Sequence, residues 1–259
     1  MRIPNLLVSL SVIVSLNTSC KNEKTNSESH MDDSKILFVT SNQHTYGNTT
    51  QNTANHFDEI VSAYHEFIIA GYKVDFVSPE GGAIPLGYIK TSDTLQKHYL
   101  YKNDFMNLLK NTLKPVDIKS KDYRAVYYPG GGAAMYGVPF NKKIQRISRE
   151  IYENNGVVST VCHGTAGIVN IKLSNGKYLY EGKKITGYPK SFENMNSTHF
   201  KTFPFIIDDA ILENGGDFQF SKQGWDNFFI VDDRIVSGQD PTASKSVAIE
   251  TIKLLNKIK

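Results

Sequence analysis

The sequence of 259 residues contains two cysteines, Cys20 and Cys162, and a single tryptophan, Trp225. Two cysteines so far apart cannot supply the disulfide framework of a small secreted domain, so we expect Cys162 to be a free thiol. The chain also lacks an excess of either charge, because 29 Lys and Arg nearly balance 26 Asp and Glu to give a formal net charge of +3. Basic and acidic residues are interleaved along the chain. This pattern excludes the basic stripe of a nucleic-acid-binding protein.

No apolar run is long enough to span a bilayer as a helix, which requires about 20 residues. Residues 6–16 form an apolar run of eleven interrupted by serines only, after Arg2 and just before Cys20. The run fits the h-region of an export signal and resembles that of bacterial lipoproteins, whose cysteine becomes the lipidated first residue. We expect a signal over residues 1–19, a lipid anchor on Cys20 and a place in the bacterial cell envelope. The alternative is an ordinary secretory signal with a chance cysteine.

Residues 20–34 are polar and lack periodicity, which predicts a flexible tether. Strand and helix patterns alternate after it. The predicted strands are 36–39, 74–77, 125–128 and 157–161, followed by a hairpin of 228–231 and 234–236. The predicted helices are 55–70, 104–113, 141–153 and 241–257. The alternation predicts one α/β domain over residues 35–259, with a doubly wound, mostly parallel, flavodoxin-like sheet and helices on both faces.

One strand-to-loop junction carries reactive side chains. The β-branched strand 157–161 runs directly into Cys162 and His163, and Gly164 allows a tight turn. A thiol on such a turn projects into the cleft at the carboxyl ends of parallel strands, the geometry of a nucleophile elbow. The start of a helix favours negative charge, so we expect the pKa of Cys162 to be lowered. A buried structural cysteine with a capping histidine is the alternative.

Further blocks of sequence extend this pattern over nearly the whole mature chain. They are residues 35–40, Glu59, residues 70–82, residues 128–131, residues 161–164, residues 182–187 and residues 237–241. Together these blocks resemble the ThiJ/PfpI superfamily, which has the class I glutamine amidotransferase-like fold. The segment after Gly187 and the sequence Gly238-Gln239-Asp240-Pro241 are most similar to the chaperone and glyoxalase III branch.

The resemblance implies a role for each matching residue. Cys162 matches the nucleophile, and Glu59 on the first helix matches a carboxylic acid beside the sulfur. His163 matches the adjacent base. Its backbone N–H, together with that of Gly131, would form an oxyanion hole. The alternative for Glu59 is a solvated carboxylate on a helix face.

A base such as His163 works best when an acid holds its other nitrogen. Glu193 stands six residues beyond Gly187, where related sequences carry that acid. A loop glutamate in water is the alternative. Asp208 and Asp209, on a predicted amphipathic helix after Pro204, are weaker substitutes.

The chain departs from the superfamily pattern at two positions. Gly132-Ala133-Ala134 replaces a sequence in which many relatives have a pocket histidine, so neither a metal nor another cofactor is predicted. Thr165 replaces a common proline, and we expect this to loosen the elbow. The other histidines lack paired ligand spacing and are expected at the surface or in the core, and Trp225 is expected to be a packing residue. These histidines are His44, His56, His65, His98 and His199.

The activity implied by the resemblance is that of glyoxalase III, a cysteine-dependent conversion of methylglyoxal to lactate without glutathione. The expected partner is a small carbonyl substrate, and a second copy of the chain in a homodimer is a further candidate partner. A holdase chaperone, a redox sensor and a Cys-His-acid amidase or peptidase remain alternatives. A glutaminase is less favoured, because the chain carries no synthase domain to receive ammonia.

Overall fold

The computed structural model of the protein describes Met1 and residues 34–258. The expected signal over residues 1–19 (apart from Met1), the lipid acceptor Cys20 and the tether over residues 20–34 (apart from Ser34) lie outside the described residues. Residues 34–258 all belong to one compact unit. Within that part of the chain, every helix is too short or too polar to cross a membrane.

Ten strands and six α-helices alternate along the described chain. The strands are β1 Lys35–Val39, β2 Asn55–His56, β3 Lys73–Val77, β4 Leu86–Gly87, β5 Tyr123–Tyr128, β6 Val157–Val161, β7 Lys184–Ile185, β8 Asp217–Phe218, β9 Phe229–Asp232 and β10 Ile235–Gly238. The helices are α1 Phe57–Ile69, α2 Thr94–Leu100, α3 Asn103–Lys110, α4 Lys142–Glu153, α5 Ile207–Glu213 and α6 Ser244–Lys257. The predicted helix over 104–113 therefore ends three residues early, and the predicted closing helix begins with a 3₁₀ turn, Pro241–Ala243.

Six strands form the central sheet in the order β3-β1-β5-β6-β10-β9. All neighbouring pairs are parallel except β9 and β10, which form the predicted hairpin at one edge. Two pairs of short strands, β2 with β4 and β7 with β8, lie outside this sheet. The predicted doubly wound, mostly parallel sheet is confirmed.

The sheet is buried on both faces because alternate side chains of its central strands enter two separate cores. On β1, Ile36 and Phe38 belong to the core that also contains buried residues of α1, α2, α3 and α6, whereas Leu37 and Val39 belong to the core that contains buried residues of α4 and α5. This is why the strand reads as a continuous apolar run instead of an alternating one. Burial on both faces holds the carboxyl ends of β1, β5 and β6 at one edge of the sheet.

Candidate active site

Cys162 occupies the tight turn that the sequence predicts between β6 and the 3₁₀ helix Cys162–Ile168. Its φ of 57° lies in the left-handed region that non-glycine residues rarely adopt, so the turn holds a strained backbone. Gly164 permits this because a Cβ at that position would lie 2.1 Å from the backbone oxygen of Tyr128. The fully buried Thr165 accompanies it, with Oγ1 2.9 Å from Thr160 Oγ1 and donating to the Thr186 carbonyl at 3.1 Å. These two hydrogen bonds hold Thr165 in the elbow, and the loosening expected from the missing proline stays a prediction.

His163 connects the cysteine to an acid. Its Nδ1 lies 3.4 Å from Cys162 Sγ, and its Nε2 lies 2.7 Å from Glu193 Oε1. The imidazole ring stacks on Tyr188 at 4.6 Å between ring centroids, and Phe203 contacts it edge-on at 5.6 Å. Because a carboxylate accepts a hydrogen bond, Glu193 favours the tautomer with the proton on Nε2 and the Nδ1 lone pair facing sulfur.

The two weaker acid candidates lie elsewhere. Asp208 Oδ2 accepts the Lys190 backbone N–H at 3.3 Å, and Asp209 pairs with the Lys190 ammonium at 2.5 Å. Of the three predicted acids, Glu193 is therefore the one that contacts His163. The described residues contain no group of three or more His, Cys, Asp or Glu that could hold a metal ion.

Glu59 lies behind the sulfur, fully buried on the first turn of α1. Its Oε2 accepts the Gly130 backbone N–H at 2.6 Å, and a side-chain hydrogen bond links the carboxyl to Cys162. Burial raises the pKa of Glu59 well above its ordinary range, because desolvation penalises the ionised form more than these hydrogen bonds favour it. Burial therefore favours the neutral, protonated form of Glu59.

The environment of Cys162 differs from that expected at an exposed elbow. Burial raises the pKa of the thiol, and an ionised Glu59 would raise it further, whereas the N–H groups of His163 and Gly131 lower it. Burial thus opposes the lowering that the sequence predicts from a helix start. Because each charge opposes the other, the Cys162–Glu59 pair carries at most one negative charge at neutral pH. When Glu59 is neutral, the sulfur can accept two backbone N–H groups and the carboxyl proton, and these donors stabilise a thiolate.

The predicted oxyanion donors converge on the reactive atom, since the backbone N–H groups of Gly131 and His163 both contact the Cys162 sulfur. Gly131 has a φ of 90°, and a Cβ there would lie 2.4 Å from the Ala54 carbonyl oxygen. Only glycine fits this position. The two donors are therefore placed where negative charge develops during addition to a carbonyl.

A cavity of about 210 Å³ opens onto the sulfur. Its lining consists of Tyr46, His56, Tyr88, Gly131, Gly132, Cys162, His163, Tyr188, Glu193, His199, Phe203, Trp225 and Pro241. Sequence reasoning missed most of the aromatic wall. His56 and His199 line this cavity, and Trp225, 61% exposed, lies at its wall and not in the core, so its assignment as a packing residue is wrong. Tyr46 lies where a Cβ on Gly132 would collide with it, at 2.5 Å.

The loop that carries Trp225 is held by buried polar side chains of the Gly-Gln-Asp-Pro block. Asp240 Oδ2 accepts the Trp225 backbone N–H at 2.8 Å. Gln239 accepts the Ser221 N–H at 2.7 Å and donates to the Ser221 carbonyl at 3.1 Å. Both side chains are fully buried, so these bonds replace all contact with water. The block therefore positions one wall of the cavity.

The profile of the DJ-1/PfpI family matches residues 53–254, a range that includes all four candidate catalytic side chains. The chain belongs to the DJ-1/PfpI family. A protein of Schizosaccharomyces pombe named as a glutathione-independent glyoxalase is 32% identical over 216 residues, covering 79% of this chain and 90% of that one. A glutathione-independent glyoxalase of Saccharomyces cerevisiae is 30% identical over 213 residues, covering 76% and 87%. The predicted resemblance to the ThiJ/PfpI superfamily is confirmed.

Solved structures show the same fold. The rapid encystment protein of 24 kDa from Francisella tularensis superimposes with a TM-score of 0.80 at 27% identity, covering 86% of this chain and 99% of that one. Glyoxalase III from Candida albicans superimposes with a TM-score of 0.78 at 24% identity, covering 86% and 98%. Both superpositions include nearly the whole of the solved chain.

Proposed function

We propose that this DJ-1/PfpI family member is a cysteine-dependent glyoxalase that converts methylglyoxal to lactate without glutathione. One observation carries the proposal: Cys162 Sγ, the imidazole of His163 and the carboxyl of Glu193 form a continuous chain beside a buried neutral acid, Glu59. Such a set can add a thiolate to a carbonyl and move protons around the adduct. The relatives named as glutathione-independent glyoxalases support the choice of reaction.

The cavity favours a small uncharged carbonyl compound. Among the described residues that line it, none is Lys or Arg, so the carboxylates of a glutathione adduct would have no cationic partner there. Aromatic side chains form most of its wall. Methylglyoxal, with two adjacent carbonyl groups and no charge, fits this chemistry.

The proposed reaction begins when the Cys162 thiolate adds to the aldehyde carbon, forming a hemithioacetal whose oxygen lies near the N–H groups of Gly131 and His163. Removal of the proton from that carbon gives an enediol, and protonation of the neighbouring carbon gives a thioester of lactate. Glu59 and His163 move these protons. Water then hydrolyses the thioester, releasing lactate and regenerating the thiol. The overall reaction is an isomerisation followed by a hydrolysis, so its atoms and electrons balance without a redox cofactor.

Lactate formation from methylglyoxal by the purified protein, with and without added glutathione, tests the proposed reaction. We expect lactate to accumulate at the same rate in both samples. Amide and peptide substrates should be hydrolysed at least about 10²-fold more slowly than methylglyoxal is converted, since the proposed proton-transfer groups would then serve the adjacent carbons of a dicarbonyl compound. A rate that depends on glutathione would contradict the proposal, and faster amide hydrolysis would favour an amidase or peptidase.

We also propose that the protein is anchored in the bacterial cell envelope through a lipid on Cys20. The apolar run of residues 6–16 placed shortly before this cysteine supports the proposal. The wild-type protein should partition with the membrane fraction and enter detergent, whereas Cys20→Ala should be soluble or unprocessed. Equal amounts of both forms in the cytosol would contradict it.

A further inference from the structure

His56 lies between the buried Glu59 and the cavity that opens onto Cys162. It directly precedes α1, and its backbone N–H donates to the Gly130 carbonyl at 2.9 Å. Its ring stacks on Tyr88 with 4.4 Å between centroids and an interplanar angle of 8°. The imidazole is therefore held in one orientation against the wall of the cavity.

One ring nitrogen of His56 faces Glu59. Its Nδ1 lies 3.9 Å from Glu59 Oε1, and both atoms are fully buried without a hydrogen-bond partner. Burial, with the charges of His163 and Lys90, lowers the pKa of His56 to about 3. Glu59 is also neutral, so the contact joins a neutral acid to a neutral base and is not an ion pair. Two buried polar atoms without hydrogen-bond partners reduce the stability of the fold, so their presence beside the site calls for a functional explanation.

The other ring nitrogen faces the cavity. His56 lines the cavity together with Cys162. Its Nε2 makes no hydrogen bond with the described residues, and it is not among their fully buried polar atoms. The ring thus spans the wall between the cavity and a carboxyl group that has no exposure of its own.

A fully buried acid needs a route for its proton. We propose that His56 relays the proton of Glu59 to an oxygen of the substrate in the cavity. This role rests on the proposed glyoxalase activity. The separation of 3.9 Å must shorten by about 1 Å for a hydrogen bond to form, so transfer follows closure of this contact when substrate binds.

The relay balances during formation of the hemithioacetal. When the thiolate bonds to the aldehyde carbon, the π electrons of the C=O bond pass to its oxygen. Once sulfur is bonded to carbon, it no longer accepts the carboxyl proton of Glu59. His56 then gives the proton of Nε2 to this alkoxide while Nδ1 takes that proton through Glu59 Oε1. The imidazole is neutral before and after the transfer. The negative charge that began on sulfur ends on Glu59, which then becomes the base available for the next step.

The His56→Phe variant tests the relay, because phenylalanine keeps a ring to stack on Tyr88 and removes both nitrogens. We expect its kcat to fall about 10²-fold, as for loss of a proton-transfer group, with an unfolding temperature close to that of wild type. His98 is an exposed histidine on α2, and the control variant His98→Phe should have the kcat of wild type. Imidazole in solution should restore part of the kcat of His56→Ala, which has room for it, and none of that of His56→Phe. Full activity of His56→Phe would overturn the relay, as would failure of imidazole to help His56→Ala.

A second measurement does not depend on turnover. In ¹⁵N NMR spectra of the full chain, replacement of Glu59 by Gln should shift the Nδ1 resonance of His56 more than that of Nε2. An unchanged Nδ1 resonance would overturn the relay whatever the kinetics show. If wild type makes lactate and His56→Phe makes it equally fast, the relay alone fails. If wild type makes none, the proposed function fails, and with it the reaction that the relay would serve.

Discussion

Nε2 of His163 lies 2.7 Å from Oε1 of Glu193, a residue 30 positions later in the chain. This contact keeps the proton on Nε2 and presents the lone pair of Nδ1 to the Cys162 sulfur, 3.4 Å away. The orientation of the base therefore depends on a loop that contributes no strand to the central sheet.

Replacement of Glu193 by Gln should lower kcat with methylglyoxal by at least about 10²-fold, because the amide can donate to Nε2 and reverse the tautomer. Steady-state lactate assays measure this. Asp209→Asn removes a neighbouring acid that forms an exposed ion pair with Lys190, and it should leave kcat within about twofold of wild type. Equal losses in the two variants would contradict the role of Glu193.

Replacement of Glu59 by Gln should move the pH profile of Cys162 alkylation by iodoacetamide to higher pH. Only the thiolate reacts, and a neutral Glu59 stabilises it by donating a proton that Gln supplies less strongly. The sign of the shift is diagnostic. If the negative charge of the pair rested on Glu59, removing it would lower the pKa of Cys162 and move the profile to lower pH.

Replacement of Asp240 by Asn should loosen the wall formed by Trp225, because the amide group that replaces Oδ2 opposes the Trp225 N–H with a second donor. Loss of a hydrogen bond to a charged group corresponds to about 1.5–3 kcal/mol, so KM should rise about tenfold or more while kcat changes little. Trp225, the single tryptophan of the chain, should also change its emission. Asp217→Asn, at an exposed position, is the matched control, and an unchanged KM in Asp240→Asn would refute this function of the loop.

Replacement of Gly164 by Ala should destabilise the fold by about 3 kcal/mol, because the new Cβ would meet backbone atoms of Tyr128 and Pro129 that cannot rotate away. Gly176→Ala adds a Cβ with nothing within 4 Å, at a φ of 85°, and should cost about 1 kcal/mol. Denaturant unfolding of both variants gives the comparison. A Gly164→Ala variant as stable as Gly176→Ala would show that the elbow is not tightly packed.

The parts of the site that lie on regular elements could be predicted from sequence. Cys162 follows a β-branched strand and lies two residues before Gly164, a local pattern that predicts a tight turn at the end of the strand. The roles of Glu59 and Glu193 could be predicted only from the family resemblance, since the sequence around a glutamate on a helix or loop does not indicate which residues it contacts. His56 did carry a signal, because it lies three residues before Glu59 within the predicted helix over 55–70, and that spacing places two side chains on one helix face.

The cavity wall could not be predicted because it comes from loops distant in sequence. Asp240 holds Trp225 there, and Tyr46 and His199, whose tilted rings lie 5.0 Å apart between centroids, lie far apart along the chain. Such contacts depend on the path of irregular segments, which periodicity does not specify. The pKa of Cys162 depends on burial in the same way, so a rule based on the helix start alone missed its largest contribution.

The number of lactate molecules formed per chain by wild type and by Cys162→Ala tests the central claim most directly. A nucleophile that is regenerated in each cycle should give many turnovers in wild type and none in the variant, while folding is unchanged. A chaperone would suppress client aggregation equally in both proteins, and a redox sensor would react once per chain. Consumption of methylglyoxal at the same rate by both proteins would contradict catalysis by Cys162.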